Sequence, residues 1–135
     1  MRKIDVFFYG LFMSEQLLRS KGVTRANLRR SSVSGFRLRI GQRATLIPDS
    51  SGRVFGMIGS LTHAELESLY AEPGLQAYKP EAVLARLSNG EVLAALCFNL
   101  LEPPAAEERD AEYASRLRAL AEQLGFPEEY VQSIQ

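Results

Sequence analysis

The stretch Ile4-Asp5-Val6-Phe7-Phe8-Tyr9-Gly10-Leu11-Phe12-Met13 decides how the chain begins to fold. Its β-branched and aromatic residues predict a buried first strand over 4–9, and Gly10 breaks it. Ser14 predicts the N-cap of a short helix, Glu15 to Ser20, that ends at Gly22. Where a buried strand breaks at glycine before a helix, successive main-chain N–H groups can point the same way. They then form a cradle for an anion or an oxyanion. The same Tyr-Gly step also occurs in plain connections, so alone it leaves both readings open.

Working outward, Ser32 to Ile40 alternates around Gly35 and predicts a second strand, bent or bulged at the glycine. A short strand is expected at Ala44 to Ile47, then a turn at Pro48-Asp49-Ser50-Ser51-Gly52, then a strand from Arg53 to Gly59. Thr62-His63-Ala64-Glu65 fits a capping box, and Leu66, Leu69 and Tyr70 follow at helical spacing until Pro73-Gly74. Tyr78 to Leu87 and Glu91 to Leu100 flank Ser88-Asn89-Gly90, and Asn-Gly between two apolar runs is a strong hairpin signal. Pro103-Pro104 sets off a long helix, Ala105 to Leu124, with Tyr113, Leu117, Leu120 and Leu124 on one stripe. Gly125 ends that helix, and Pro127 opens a last turn through Tyr130 and Ile134. Short glycine-bent strands with helices inserted and appended predict an α+β fold, a small mixed β-barrel with flanking helices.

With 135 residues, 46% hydrophobic and 24% charged, the chain fits one folded domain over 1–135 and not a disordered one. No apolar run approaches the roughly 20 residues that a bilayer crossing needs. The start Met1-Arg2-Lys3 precedes apolar residues as far as Met13. Asp5 interrupts that run and no small-residue cleavage site follows, so no secretory leader is expected. One cysteine excludes an internal disulfide framework, and a reducing cytoplasm is the expected location. Net charge is zero but uneven. Through Arg53 there are 11 Lys/Arg against 3 Asp/Glu, and afterwards 5 against 13. The basic residues Arg25, Arg29, Arg30, Arg37, Arg39 and Arg43 could form a nucleic-acid footprint. Zero net charge gives no long-range pull toward phosphate, so no nucleic-acid partner is expected. The two alternatives are charges interleaved within one domain, or one or two arginines meeting a carboxylate on a small anionic substrate.

Familiar catalytic devices are missing. No glycine-rich phosphate loop is present. The single His63 and single Cys97 make a protein-built metal site unexpected. His63 falls in the first turn of a helix, where exposure is usual. Cys97 lies within the apolar run Ala94 to Phe98, where an inert thiol is expected. One other group stands out. Glu72 falls at the end of the helix opened by Thr62, against the helix dipole, with Tyr70, Leu75 and Tyr78 around it. A glutamate held there would be desolvated, a state suited to taking and returning protons near neutral pH. An exposed helix-end glutamate is the plainer alternative.

Taken in order, these segments resemble the gamma-glutamylcyclotransferase superfamily, including the plant avirulence-induced-gene-like proteins and small bacterial relatives. Val6 to Met13 is similar to the family's first strand and its Tyr-Gly-Ser/Thr-Leu loop. Arg53-Val54-Phe55-Gly56-Met57-Ile58, the Leu66 to Tyr78 segment with Glu72, Glu91 to Phe98, and Gly125 to Tyr130 resemble later segments. Leu11 stands where Ser or Thr is usual, and Phe98 where tyrosine is common. The resemblance implies the barrel fold and a cofactor-independent enzyme. In that chemistry the α-amine of a small gamma-glutamyl substrate attacks its own γ-carbonyl, releasing 5-oxoproline and an amine or amino acid. It implies Glu72 as general acid/base. The backbone of Tyr9, Gly10, Leu11 and Phe12 would hold the substrate, with Phe8 and Tyr78 lining the pocket. No metal, cofactor or membrane enters that chemistry. A catalytically inactive ligand-binding module with the same pocket is the alternative.

Overall fold

In the computed structural model, which describes residues 2–135, five strands close into a barrel. Met1, at the start of the rejected leader and of the expected 1–135 domain, lies outside the described residues. The strands are β1 (Lys3–Phe8), β2 (Arg29–Ile40), β3 (Ala44–Thr62), β4 (Tyr78–Leu87) and β5 (Val92–Leu100). The helices are α1 (Glu15–Ser20), α2 (His63–Tyr70), α3 (Ala111–Gln123) and α4 (Glu128–Ser133). The ring order is β1-β3-β2-β4-β5. Neighbours run antiparallel except β1 and β5, which close the ring in parallel through Val6 opposite Leu96. This is the expected α+β class, a mixed barrel with flanking helices.

Local chemistry explains most element ends. Ser14 Oγ accepts from Leu17 N at 3.2 Å and starts α1. Glu65 N donates to Thr62 Oγ1 at 3.1 Å, and Thr62 N donates to Glu65 Oε1 at 2.8 Å, the two halves of the capping box of α2. Gly90, at φ 92°, turns the β4–β5 hairpin. β1 delivers the densest core, with Val6, Phe7 and Phe8 at 0%, 1% and 3% exposure. Full burial of such side chains is worth roughly 2 kcal/mol apiece.

Three expectations are corrected. Ala44 to Ile47 and Arg53 to Gly59 are one strand, β3, and not two strands around a turn. Opposite the single Gly35 of β2, at φ 89°, β3 carries the four residues Asp49 to Gly52, so the turn chemistry is spent on a bulge. Asp49 Oδ1 accepts from Ser51 N at 3.1 Å within it, and a side chain at Gly52 would collide with the Phe36 carbonyl. The long helix starts at Ala111 and not at Ala105. Asp110 caps it, accepting from Tyr113 N at 3.0 Å, while Arg39 donates to the Ala105 and Glu108 carbonyls and keeps that segment out of the helix. Helix α2 ends at Tyr70, so Glu72 lies beyond it. Pro73 disfavours helical geometry in the residue before it.

All five tyrosines, Tyr9, Tyr70, Tyr78, Tyr113 and Tyr130, are withdrawn from water. Burial is the main cause holding each hydroxyl above its usual range.

Two outcomes are expected. A methyl at Gly56 would overlap the Phe8 carbonyl and stand 2.6 Å from Phe7 Cζ. Gly56→Ala should therefore destabilise the protein by about 2 kcal/mol, read as a lower urea midpoint at unchanged slope. The tyrosines set an alkaline limit. A hydroxyl whose native pKa is raised contributes stability that is present below the unfolded value near 10 and lost as pH rises above it. Stability measured by urea unfolding should be flat to about pH 8, then fall by up to about 1.4 kcal/mol per pH unit for each such group, the buried Cys97 thiol first and the tyrosines above about pH 10. A flat profile through about pH 11 would contradict this.

Candidate functional site

β1 ends at Phe8 and the chain bends at Tyr9-Gly10 into one 3-10 turn, Leu11–Met13, before α1. Gly10 is extended (φ −110°, ψ −151°), and Met13 N donates back to the Gly10 carbonyl at 3.0 Å. This bend forms one wall of a cavity of about 360 Å³ at the end of the barrel. α1 contributes Leu17 and the adjoining Lys21, and the β2–β3 tip contributes Gln42 and Arg43. The segment after α2 adds Glu72 and Leu75, β4 adds Tyr78, β5 adds Phe98, and α3 adds Tyr113. Phe8, Tyr9, Gly10, Leu11, Phe12, Glu72 and Tyr78, all singled out in the sequence, line this one cavity.

Its inner wall is aromatic. Tyr70 stacks on Phe98 with ring centroids 4.1 Å apart at 16°, and meets Phe12 edge-on at 5.9 Å. Phe98 thus fills a stack with an apolar ring. The Tyr9 hydroxyl donates to the Phe98 carbonyl at 2.7 Å, and the Tyr78 hydroxyl donates to the Ala44 carbonyl. Both hydroxyls are spent on main chain, so these two tyrosines present mainly their rings. The Tyr113 hydroxyl lies against the bend, 2.6 Å from where a Cβ at position 10 would stand. Glycine is required at position 10 for that contact. Burial raises the Tyr113 hydroxyl, tempered by a hydrogen bond from the Leu11 backbone.

Glu72 differs from expectation. Its side chain is 34% exposed, and its Oε1 receives Lys21 Nζ at 2.6 Å. The apolar neighbours Tyr70, Leu75 and Tyr78 share the cavity with it, but the carboxyl is ion-paired and not enclosed by apolar groups alone. Past the end of α2 the turn faces the C-terminal end of α1, which brings Lys21 across.

His63 is exposed on the first turn of α2 and does not line the cavity. Cys97 is 0% exposed, and burial, with the Glu81 charge adding to it, pushes its thiol up to about 12. Among the described residues no three His, Cys, Asp or Glu side chains come together as a metal-holding group. Among the same residues no helix is long and apolar enough to cross a membrane. Lys21 and Tyr113 join the site without a sequence signal that assigns them to it. Tyr113 reads only as a position of a helix stripe, whereas Tyr70 is expected beside Glu72 and Arg43 belongs to the basic run from which one or two arginines could meet a substrate carboxylate.

The comparisons with known proteins bear on the family and the fold. The family described as gamma-glutamyl cyclotransferase, AIG2-like, matches residues 6–117. A search of curated proteins gave no match. Among solved structures, one described as a gamma-glutamyl cyclotransferase is similar at TM-score 0.83 and 18% identity, over 99% of this chain and 89% of that one. YkqA from Bacillus subtilis is similar at TM-score 0.80 and 22% identity, over 98% of this chain but 52% of that one. An uncharacterised human protein is similar at TM-score 0.81 and 17% identity, over 100% and 89%. At these identities the likeness carries the fold, and the sequence match carries the family. The chain belongs to the gamma-glutamyl cyclotransferase, AIG2-like family.

Proposed function

We propose that this chain is a cofactor-independent gamma-glutamyl cyclotransferase of the cytoplasm, acting as one domain. The observation that supports the reading best is that the Glu72 carboxyl and the Tyr9–Phe12 bend line the same cavity. The α-amine nitrogen of a gamma-glutamyl substrate attacks its own γ-carbonyl carbon. A new C–N bond closes a five-membered ring, and the old amide C–N bond breaks. Glu72 takes the proton of the attacking amine and returns it to the leaving nitrogen. The products are 5-oxoproline and a free amine or amino acid. Main-chain N–H groups of the bend would stabilise the oxyanion. The rings of Phe8, Phe12 and Tyr78 hold the substrate folded back on itself, a proximity effect. Lys21 bonds Oε1, so proton transfer uses Oε2 or an exchange of Lys21 for the substrate amine.

The Lys21–Glu72 pair also favours a second reading, a binding module in which the pair is a fixed recognition element and no turnover occurs.

Release of 5-oxoproline from gamma-glutamyl amines and amino acids separates the two. On the enzyme reading, Glu72→Gln should lower kcat by about 10²- to 10⁴-fold with little change in thermal midpoint. Release that survives the substitution removes Glu72 from the chemistry, and ligand-induced stabilisation without any release selects the binding module. The bend has its own test. Gly10→Ala would push against the Tyr113 hydroxyl at 2.6 Å, while the next ring atom, Cζ, stands 4.0 Å away. Gly10→Ala alone should cost about tenfold to a hundredfold in kcat/KM, because small displacements of positioning groups are costly. Adding Tyr113→Phe, which removes the colliding oxygen, should recover most of it. No loss in the single variant would take the bend out of the mechanism.

A further inference from the structure

Of the six arginines in the basic run, Arg43 alone lines the cavity that holds Glu72. It sits on the β2–β3 tip, Gly41-Gln42-Arg43, and the tip is anchored. Gln42 N donates to Glu108 Oε2 at 3.2 Å, and Gly41 N donates to the Arg43 carbonyl at 3.0 Å. The guanidinium lies over the turn that carries Glu72, with Nη2 3.4 Å and Nε 3.9 Å from where a Cβ on Gly74 would stand. Its charge also reaches Tyr78, where it opposes the upward push of burial on that hydroxyl.

The charges of the site do not balance. Lys21 is matched by Glu72 at 2.6 Å. The ion pairs among the described residues are Arg19–Glu15, Lys21–Glu72 and Arg37–Asp49, and Arg43 is in none of them. A cation without a carboxylate, on an anchored tip at the mouth of an aromatic-walled cavity, is a seat for an anion. A guanidinium matches a carboxylate with two parallel hydrogen bonds.

We propose that Arg43 is a specificity residue that receives the carboxylate of the leaving amino acid, so that gamma-glutamyl amino acids are preferred over gamma-glutamyl amines. The inference rests on the cyclotransferase reading. It follows from where the two halves of such a substrate must lie. The glutamyl α-carboxylate shares a carbon with the attacking amine and travels with it toward Glu72 and the bend. The leaving half continues outward, and Arg43 is an exposed residue of the same cavity lining, open to a group that extends toward solvent.

Gamma-glutamylglycine and gamma-glutamylmethylamide differ only by the leaving-group carboxylate. The wild-type protein should favour the glycine compound in kcat/KM by about tenfold or more, since a site that bonds a group discriminates against the analogue lacking it. Arg43→Gln should bring that ratio to within about twofold, and Arg43→Lys, which keeps charge but loses the fork, should fall between. Equal losses on both compounds would mean that Arg43 holds the glutamyl half, and no loss on either would mean that another group takes the carboxylate; either overturns the proposal. If neither compound yields 5-oxoproline, the cyclotransferase reading fails on its own. Calorimetric titration of the same two compounds then decides Arg43. A carboxylate-dependent Kd that is lost in Arg43→Gln supports it, and equal or absent binding overturns it.

Discussion

The parallel pairing of β1 with β5 is the constraint on which the rest depends. Without Val6 opposite Leu96, the sheet would be an open five-stranded ribbon with two bare edges. Closure places Val6, Phe7 and Phe8 in the core and leaves little freedom in where the chain can go at Tyr9. Gly56 lets β3 come close enough to β1 for that packing. The bend at Gly10 therefore takes its position from the ring, and so do the Tyr9 hydroxyl on the Phe98 carbonyl and the Tyr113 hydroxyl on the bend.

Around this fixed wall the polar groups of the cavity come from separate pieces of chain. Glu72 stands on a turn that Pro73 keeps out of the helix, and Lys21 reaches it from the end of α1 across 51 positions of sequence. The aromatic rings of the same cavity, Phe12, Tyr70 and Phe98, stack and cross at 4.1 to 5.9 Å. Lys21 holds one oxygen of the Glu72 carboxyl, and that side chain is 34% exposed. The result is a carboxylate that is held and reachable at once.

Elements with their own local chemistry were legible in the sequence. Ser14, the Thr62/Glu65 box and Asn89-Gly90 each act on neighbours a few residues away, so their positions could be read directly. The bulge at Asp49 to Gly52 was not legible, because identical residues make a hairpin or a bulge according to what lies opposite, here Gly35. The start of α3 was misplaced for a similar reason. Arg39, 66 positions earlier, holds the Ala105 carbonyl away from a helix. In the site, the bend and Glu72 were visible through their order along the chain and through family resemblance. The ion pair on Glu72 was not, since nothing near Lys21 in sequence points across the fold. Tyr113 was visible only as one apolar position of a helix stripe.

β4 pairs with β2 only at Ser31 to Val33, so beyond that ladder β2 and β3 continue as a hairpin, Phe36 to Pro48, whose Ile40, Ala44, Thr45 and Leu46 pack into the core. The hairpin carries Arg43 at its tip, while Glu72 and the Gly10 bend belong to other parts of the molecule. On the proposed reading, reactivity and choice of molecule thus sit on different stretches of chain, joined where the Leu100 amide donates to Thr45 Oγ1 and the Tyr78 hydroxyl to the Ala44 carbonyl. Substituting the two exposed tip residues, Gln42 and Arg43, can retune what is admitted while the strand ladders of the ring stay as they are. A fold built this way can diversify among relatives that keep one reaction, by editing two exposed positions and leaving the foundation alone.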